Sequence, residues 1–287
     1  MKKYLKLFRV THYLKNLLIF VPIFFAEHLY DWRQVCYLIF MIVPFCLASS
    51  AIYVINDIKD ADKDRMHPQK CKRPIASGAI SKKSAKMALV ILIAVSILMV
   101  SITIPMGLFC WQAAVLLILY FSINFGYSNG LKNIPIMDIA LLASGYLIRL
   151  FYGASLVNVA VSPWLYLTVM AGAFYLGMGK RRNEMKNISG GNTRMVLNKY
   201  NYEFLDKNMH VCLGLSIAFY SLWAIQTDYV GMIWTIPLIL LILMKYSLDI
   251  EDDNAEGDPM KVVINDKVLL IMGASYFTMV FLIIYLL

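Results

Sequence analysis

The chain has 287 residues, 60% of them hydrophobic and 16% charged, with a mean hydropathy of +0.64. Soluble globular chains average about 45–50% apolar and about 25% charged residues, so this composition excludes an ordinary water-facing surface and a separate soluble domain. A net charge of +9 would suit a nucleic-acid partner in a soluble protein; here it is assigned to membrane topology, and no nucleic acid is expected.

At about 20 residues per crossing plus loops, the chain accommodates roughly eight to ten spans in one polytopic domain, 1–287. In chain order, the apolar runs fall at 14–30, 35–56, 87–107, 109–126, 134–152, 162–179, 209–227, 230–248 and 267–287, which predicts nine spans. The first run is short and contains Pro22, so a tilt or kink is expected there. With this count every Lys and Arg except Arg33 and Arg149 lies on one side of the membrane. The positive-inside rule makes that side cytoplasmic. The expected topology is a multi-pass protein of the cell's inner (plasma) membrane, with the N-terminus cytoplasmic and the C-terminus outside.

The segments 57–86, 180–208 and 249–266 form long polar loops on that same side, whereas the external loops are short. Long loops of a compact protein usually carry function, so the active surface is expected to be cytoplasmic. The basic start (Lys2, Lys3, Lys6, Arg9) is not followed by a small-residue cleavage site, and no cleavable signal is expected. Cys36, Cys46, Cys71, Cys110 and Cys212 are scattered and show neither disulfide nor zinc spacing.

Where the second run ends, the chain reads Asn56-Asp57-Ile58-Lys59-Asp60-Ala61-Asp62-Lys63-Asp64. If the helix continues, Asn56, Asp57, Asp60 and Asp64 share a face roughly 100° wide. Like charges at that spacing repel by about 0.2–0.5 kcal/mol per pair, a conflict that a divalent cation removes. Asp and Asn oxygens are hard ligands suited to Mg2+, which keeps several waters and is commonly shared with substrate phosphates. Arg65, Lys70, Lys72 and Arg73 follow, before Pro74-Ile75-Ala76-Ser77-Gly78. Metal-binding carboxylates beside Lys and Arg suit a diphosphate ligand. His67 is given no role.

Asn-Asp-x-x-Asp-x-x-x-Asp followed by Lys-x-Arg-Pro-Ile-Ala-Ser-Gly resembles the first Asp-rich motif of the UbiA-type prenyltransferase superfamily. The resemblance implies an all-α integral membrane fold of about nine transmembrane helices, around a central cavity open to the cytoplasmic side and to lipid. Aromatic prenyltransferases of that superfamily carry a second Asp-rich motif after span six. Here the place reads Gly179-Lys180-Arg181-Arg182-Asn183-Glu184, with one acid among three cations. Together with Arg9-Val10-Thr11-His12-Tyr13-Leu14-Lys15-Asn16, Tyr127-Ser128-Asn129-Gly130-Leu131-Lys132 and Asp258-Pro259 with Asp266, this segment is similar to the decaprenyl-phosphate phosphoribosyltransferase branch. His12-Tyr13 stands where that branch usually has Gln-Trp, and Val10 where it usually has Pro.

The resemblance implies transfer of 5-phosphoribose from 5-phosphoribosyl 1-diphosphate (PRPP) to a polyprenyl phosphate, for cell-envelope arabinan-type precursors. Asp57, Asp60 and Asp64, with Asn56, are then expected to hold Mg2+ on the PRPP diphosphate, and Lys72 and Arg73 to grip the diphosphate. Lys180, Arg181 and Arg182, with Glu184 adjacent, are expected to bind the ribose 5-phosphate or the lipid phosphate. Tyr127 and Lys132 complete that clamp, and Lys15 with Asn16 holds the lipid phosphate at headgroup depth. Asp138 and Arg149, eleven residues apart in one span, are supporting candidates whose direct pairing is not expected. The acidic run Glu251-Asp252-Asp253 is expected to be a solvated loop. Membrane lipid is the surrounding partner, and a homo-oligomer is compatible with the reading. Two alternatives stay open: a prenyltransferase acting on an aromatic acceptor, and a transporter or channel, which would place its ionisable groups at mid-membrane.

Overall fold

The computed structural model describes residues 2–66, 70–186, 195–251 and 259–286. Among them the chain is all helix with its connections, and no strand forms. His67, Asp252, Asp253 and Asp258 of the sequence reading lie outside the described residues.

Six helices are long and apolar enough to cross a membrane: Trp32–Lys59, Lys82–Ile102, Met137–Leu156, Tyr202–Gln226, Val230–Ile250 and Lys267–Tyr285. The bent pair Lys2–Phe8 and Val10–Phe25 would make a seventh. The protein is therefore a multi-pass membrane protein. The remaining expected runs, 109–126 and 162–179, fall on the helices Trp111–Ser128 and Pro163–Lys186, which polar residues keep below that hydropathy.

The chain packs as two compact units. The first comprises the chain up to Leu131 together with Ile148–Ala160, and the second takes in Lys132–Leu147 and nearly all of the chain beyond Val161.

The first unit begins with α1 (Lys2–Phe8), a 3-10 helix (Val10–Phe20) and α2 (Val21–Phe25). The bend lies outside the run 14–30 in which Pro22 led one to be expected. The bend of 48° falls at Arg9, which adopts a left-handed conformation with φ 50°. Pro22 instead sits in the first turn of α2, where its missing N–H costs nothing because that donor has no helical acceptor. Next comes α3 (Trp32–Lys59), capped by Asp31, whose carboxylate accepts from the backbone N–H of Arg33 and Gln34. More than half of the apolar window of α3 is buried (56%), against 17% for α5 (Lys82–Ile102). Both are apolar all round, so α3 is the packed centre of this unit, and α5 leaves most of its apolar surface outside the packed core. A short α4 (Ala61–Arg65) follows α3, and α6 (Trp111–Ser128) follows α5.

The unit's core joins Ile19, Ile23, Leu38, Phe45, Tyr120 and Tyr152. The Phe45 ring packs at a tilt against Tyr120 and Tyr152, with centroids 4.6 Å and 5.0 Å away. One glycine makes this packing feasible: a Cβ on Gly153 of α7 (Met137–Leu156) would lie 2.0 Å from the carbonyl oxygen of Ile19. The 3-10 helix thus lies directly on the backbone of α7.

The second unit contains the first half of α7, then α8 (Pro163–Lys186), α9 (Tyr202–Gln226), α10 (Ile236–Glu251), α11 (Pro259–Asn265) and α12 (Lys267–Tyr285). Its core is built on Tyr175, Met209, Tyr246, Ile250 and Leu269. Asn201 caps α9 and Asp266 caps α12, each through its side-chain oxygen. Asp266 also receives Lys245 Nζ at 2.6 Å. That hydrogen bond, with the cap, holds its carboxyl below the usual carboxylate range.

Candidate active site

In the first unit, α3 carries its polar end past the apolar window to Lys59. The helix does not run straight through the motif. Asp60 (φ −90°, ψ 3°) separates α3 from α4, although the N–H of Asp60 still bonds to Asn56 O and that of Asp64 to Asp60 O, both at 2.8 Å. The expected four-residue stripe becomes a pair: Asp57 and Asp64 turn inward and are buried, and Asp60 occupies the break.

Two arginines close over that pair. Arg9 Nη2 donates to Asp57 Oδ1 at 2.7 Å. Arg73 Nη1 bridges the two acids, at 3.3 Å from Asp57 Oδ1 and 2.7 Å from Asp64 Oδ2. The Arg73 loop explains the Pro-Ile-Ala-Ser-Gly run. Ile75 and Ile80 are buried as anchors, Gly78 takes φ 76°, and Ile80 N–H bonds to Pro74 O at 2.9 Å. Arg65 Nε ties the loop from outside through Ala76 O, at 3.3 Å. Lys72 is exposed at the loop's surface. Asp62, also exposed, faces away and pairs with Arg65 and Lys82; the Lys82 hydrogen bond lowers its carboxyl pKa.

Among the described residues no three His, Cys, Asp or Glu side chains converge in a metal-holding group. Asp57 and Asp64 nonetheless meet at one cationic atom, Arg73 Nη1. Mg2+ typically takes only one or two carboxylates, completing its shell with water and substrate phosphate. The donor set fits such an ion. Asn56 is turned toward α6, where its Oδ1 accepts the hydroxyl of Ser128. Lys59 Nζ reaches Ser128 O at 2.8 Å and Asn129 Oδ1 at 2.6 Å. The Tyr127–Asn129 segment therefore does meet the motif, through Ser128 and Asn129.

Deeper in this unit lies a polar cluster. Asn16 is buried, accepts Arg149 Nε at 2.8 Å and donates to Cys46 Sγ at 3.1 Å. Arg149 also donates to Tyr120 OH at 3.0 Å and lies over the rings of Phe45 and Tyr120. Lys15, Arg9 and Arg149 are all within electrostatic reach of Tyr53. Arg9 stacks on the Tyr53 ring at 4.6 Å, and His12 Nδ1 is 3.1 Å from its hydroxyl.

In the second unit, Asp138 and Arg181 are completely buried and bonded through Oδ2 and Nε at 2.5 Å. Arg181 Nη1 also reaches Glu184 at 2.6 Å. Tyr200 OH donates to Asp138 Oδ1 at 2.5 Å and accepts the N–H of Ile136 at 2.6 Å. Burial first, and then the hydrogen bond to Asp138, push the Tyr200 phenol up to about 12. Arg182 is buried against Asp206 and stacks on Tyr202. The cation run thus divides: Arg181 and Arg182 are held by carboxylates inside the unit, while Lys180 and Lys132 stay half-buried.

Sequence reasoning missed Arg9, Tyr53, Ser128, Asn129 and Tyr200 as site residues. Arg9, Ser128 and Asn129 lie inside the branch-like segments and could have been taken from them; Tyr53 and Tyr200 carry no local signal.

The UbiA prenyltransferase family pattern matches residues 17–187. A decaprenyl-phosphate phosphoribosyltransferase of Mycolicibacterium smegmatis is 30% identical, over 95% of this chain and 89% of that protein. One from Mycobacterium tuberculosis is 28% identical, over 86% of this chain and 82% of its own length. Among solved structures, a UbiA homolog from Archaeoglobus fulgidus bound to GPP and Mg2+ superposes with TM-score 0.72 at 18% identity, covering 98% of this chain and 99% of that one.

Proposed function

Because the chain belongs to the UbiA prenyltransferase family, we propose that it transfers the 5-phosphoribosyl group of PRPP to a polyprenyl phosphate of decaprenyl-phosphate type, releasing diphosphate. The observation carrying this reading is the convergence of Asp57 and Asp64 on one cationic atom, Arg73 Nη1, with Arg9 also bonded to Asp57. The choice of donor and acceptor follows the two mycobacterial relatives.

Asp57 and Asp64, with Asp60 and Asn56 beside them, are the residues that would hold Mg2+. That ion, when bound, screens the charge growing on the leaving diphosphate. Arg73, Lys72 and Arg9 bind the diphosphate oxygens through charge-assisted hydrogen bonds. Lys15 orients the lipid phosphate at headgroup depth, while Asn16, expected to share that task, is instead buried against Arg149 and Cys46 and supports the segment that carries Lys15. In the second unit Lys132 and Lys180 bind the ribose 5-phosphate or the lipid phosphate, with Arg181, Arg182 and Glu184 supporting them, and Tyr127 is the first unit's own phosphate-binding candidate.

In the reaction an oxygen of the lipid phosphate bonds to ribose C1, and the bond from C1 to the diphosphate oxygen breaks with its electron pair leaving on diphosphate. The attacking oxygen is already anionic, so neither a protein nucleophile nor a strong base is needed. Nine crossings in the inner membrane, a cavity open to the cytoplasm, an external C-terminus and a product feeding cell-envelope arabinan belong to the same proposal.

A second reading, prenyl transfer to an aromatic acceptor, is favoured by the fold shared with the GPP-bound homolog. The purified protein with Mg2+ should be offered PRPP with polyprenyl phosphate and, in parallel, a prenyl diphosphate with an aromatic acceptor. A phosphoribosylated lipid from the first pair alone is expected; turnover of the second pair alone overturns the reading.

A further inference from the structure

The start of α7 carries a strained backbone. Ile136 has φ 67°, a conformation that is an outlier for a β-branched residue. The N–H of Met137 bonds to Pro135 O at 2.8 Å, closing a three-residue turn around Ile136 of the rare positive-φ kind. Such strain persists only where the surroundings over-determine it, and it concentrates at functional sites. Here the surroundings are identifiable. The Ile136 N–H is taken by Tyr200 OH, whose own proton goes to Asp138, whose other oxygen is taken by Arg181. A phenol offers one donor and can still accept, so this single hydroxyl joins the strained turn to a buried ion pair. Lys132 lies four residues before Ile136, on the short 3-10 helix Leu131–Asn133.

We infer that Tyr200, backed by Asp138 and Arg181, is a positioning residue that locks the Pro135–Met137 turn and so fixes the pose in which Lys132 meets a substrate phosphate. The inference rests on the phosphoribosyl-transfer reading for the identity of that phosphate. It also gives Arg181 a different task from direct phosphate contact. Its guanidinium is sealed from solvent and holds Oδ2 of Asp138, leaving Oδ1 as the acceptor that orients Tyr200.

Tyr200→Phe deletes the hydroxyl and keeps the ring. Using the whole protein in detergent with Mg2+, PRPP and polyprenyl phosphate, kcat and KM for both substrates are compared for wild type, Tyr200→Phe, Lys132→Met and the double variant. Tyr200→Phe should lower kcat/KM about tenfold and Lys132→Met about a hundredfold, and the double variant should match Lys132→Met alone, because residues acting through one contact are not additive. Losses that multiply overturn the inference. Amide hydrogen exchange at 131–137 supplies a readout independent of turnover. It should quicken at least about tenfold in Tyr200→Phe, and unchanged exchange also overturns the inference. A wild-type protein inactive with PRPP would sink the proposed reaction, and exchange alone would then decide the role of Tyr200.

Discussion

Asp57 shares its Oδ1 between two guanidinium groups, and one of these also holds Asp64. Arg9 and Arg73 thus act as internal counter-ions for carboxylates that are otherwise available to a divalent cation. Removing one should help metal and harm anion. Arg9→Gln is predicted to tighten Mn2+ binding without PRPP about tenfold, read by paramagnetic resonance, and to raise KM for PRPP by a similar factor; weaker Mn2+ binding would contradict the arrangement. In the second unit, Arg181→Ala leaves Asp138 buried and uncompensated, which costs about 3–5 kcal/mol and should appear as a large drop in melting temperature. Tyr200 gives the pH prediction. Its pKa is raised in the fold, so its contribution is fully present below about pH 10 and is lost as pH rises through about 12. Wild type and Tyr200→Phe should therefore differ in rate but not in the shape of their pH profiles below about pH 9. At this scale the Asp motif and its basic neighbours were legible, because Asp57, Asp64 and Arg73 lie within one short stretch of chain. Tyr200 was not, since it reaches Asp138 from a distant segment, and Arg9 was legible only through the branch-like segment that contains it.

The elements explain how those side chains are aimed. Helical hydrogen bonding persists through Asp60 although the helix itself breaks; hence the expectation of one continuous stripe held for Asp57 and Asp64 but missed the break between them. Pro22 was the visible breaker in the first run, yet the bend fell at Arg9, because a proline in a helix's first turn is compatible with helix and a left-handed residue is not. The close approach at Gly153 sets the 3-10 helix, and with it Lys15 and Asn16, against α7. A methyl group there would meet backbone rather than a movable side chain. Gly153→Ala should destabilise by roughly 1–3 kcal/mol and reduce activity, measured by thermal unfolding and turnover; an unchanged melting temperature would show that the contact is looser than described.

For the molecule as a whole, hydropathy carried the all-helical, multi-pass character, since six of the expected runs coincide with helices long and apolar enough to cross a membrane. Lipid as solvent leaves an α-helical chain few other ways to satisfy its backbone. The partition into two packed units was not legible, because it depends on which apolar faces meet one another and not on how apolar they are. The most direct measurement is transfer of label from PRPP carrying radioactive ribose to polyprenyl phosphate in extracts of membranes containing the wild type or Asp64→Asn. Label should enter the lipid with wild type and Mg2+, and fall by at least about a hundredfold with Asp64→Asn. Undiminished labelling by Asp64→Asn, or none with wild type, would contradict a diphosphate held at the end of α3.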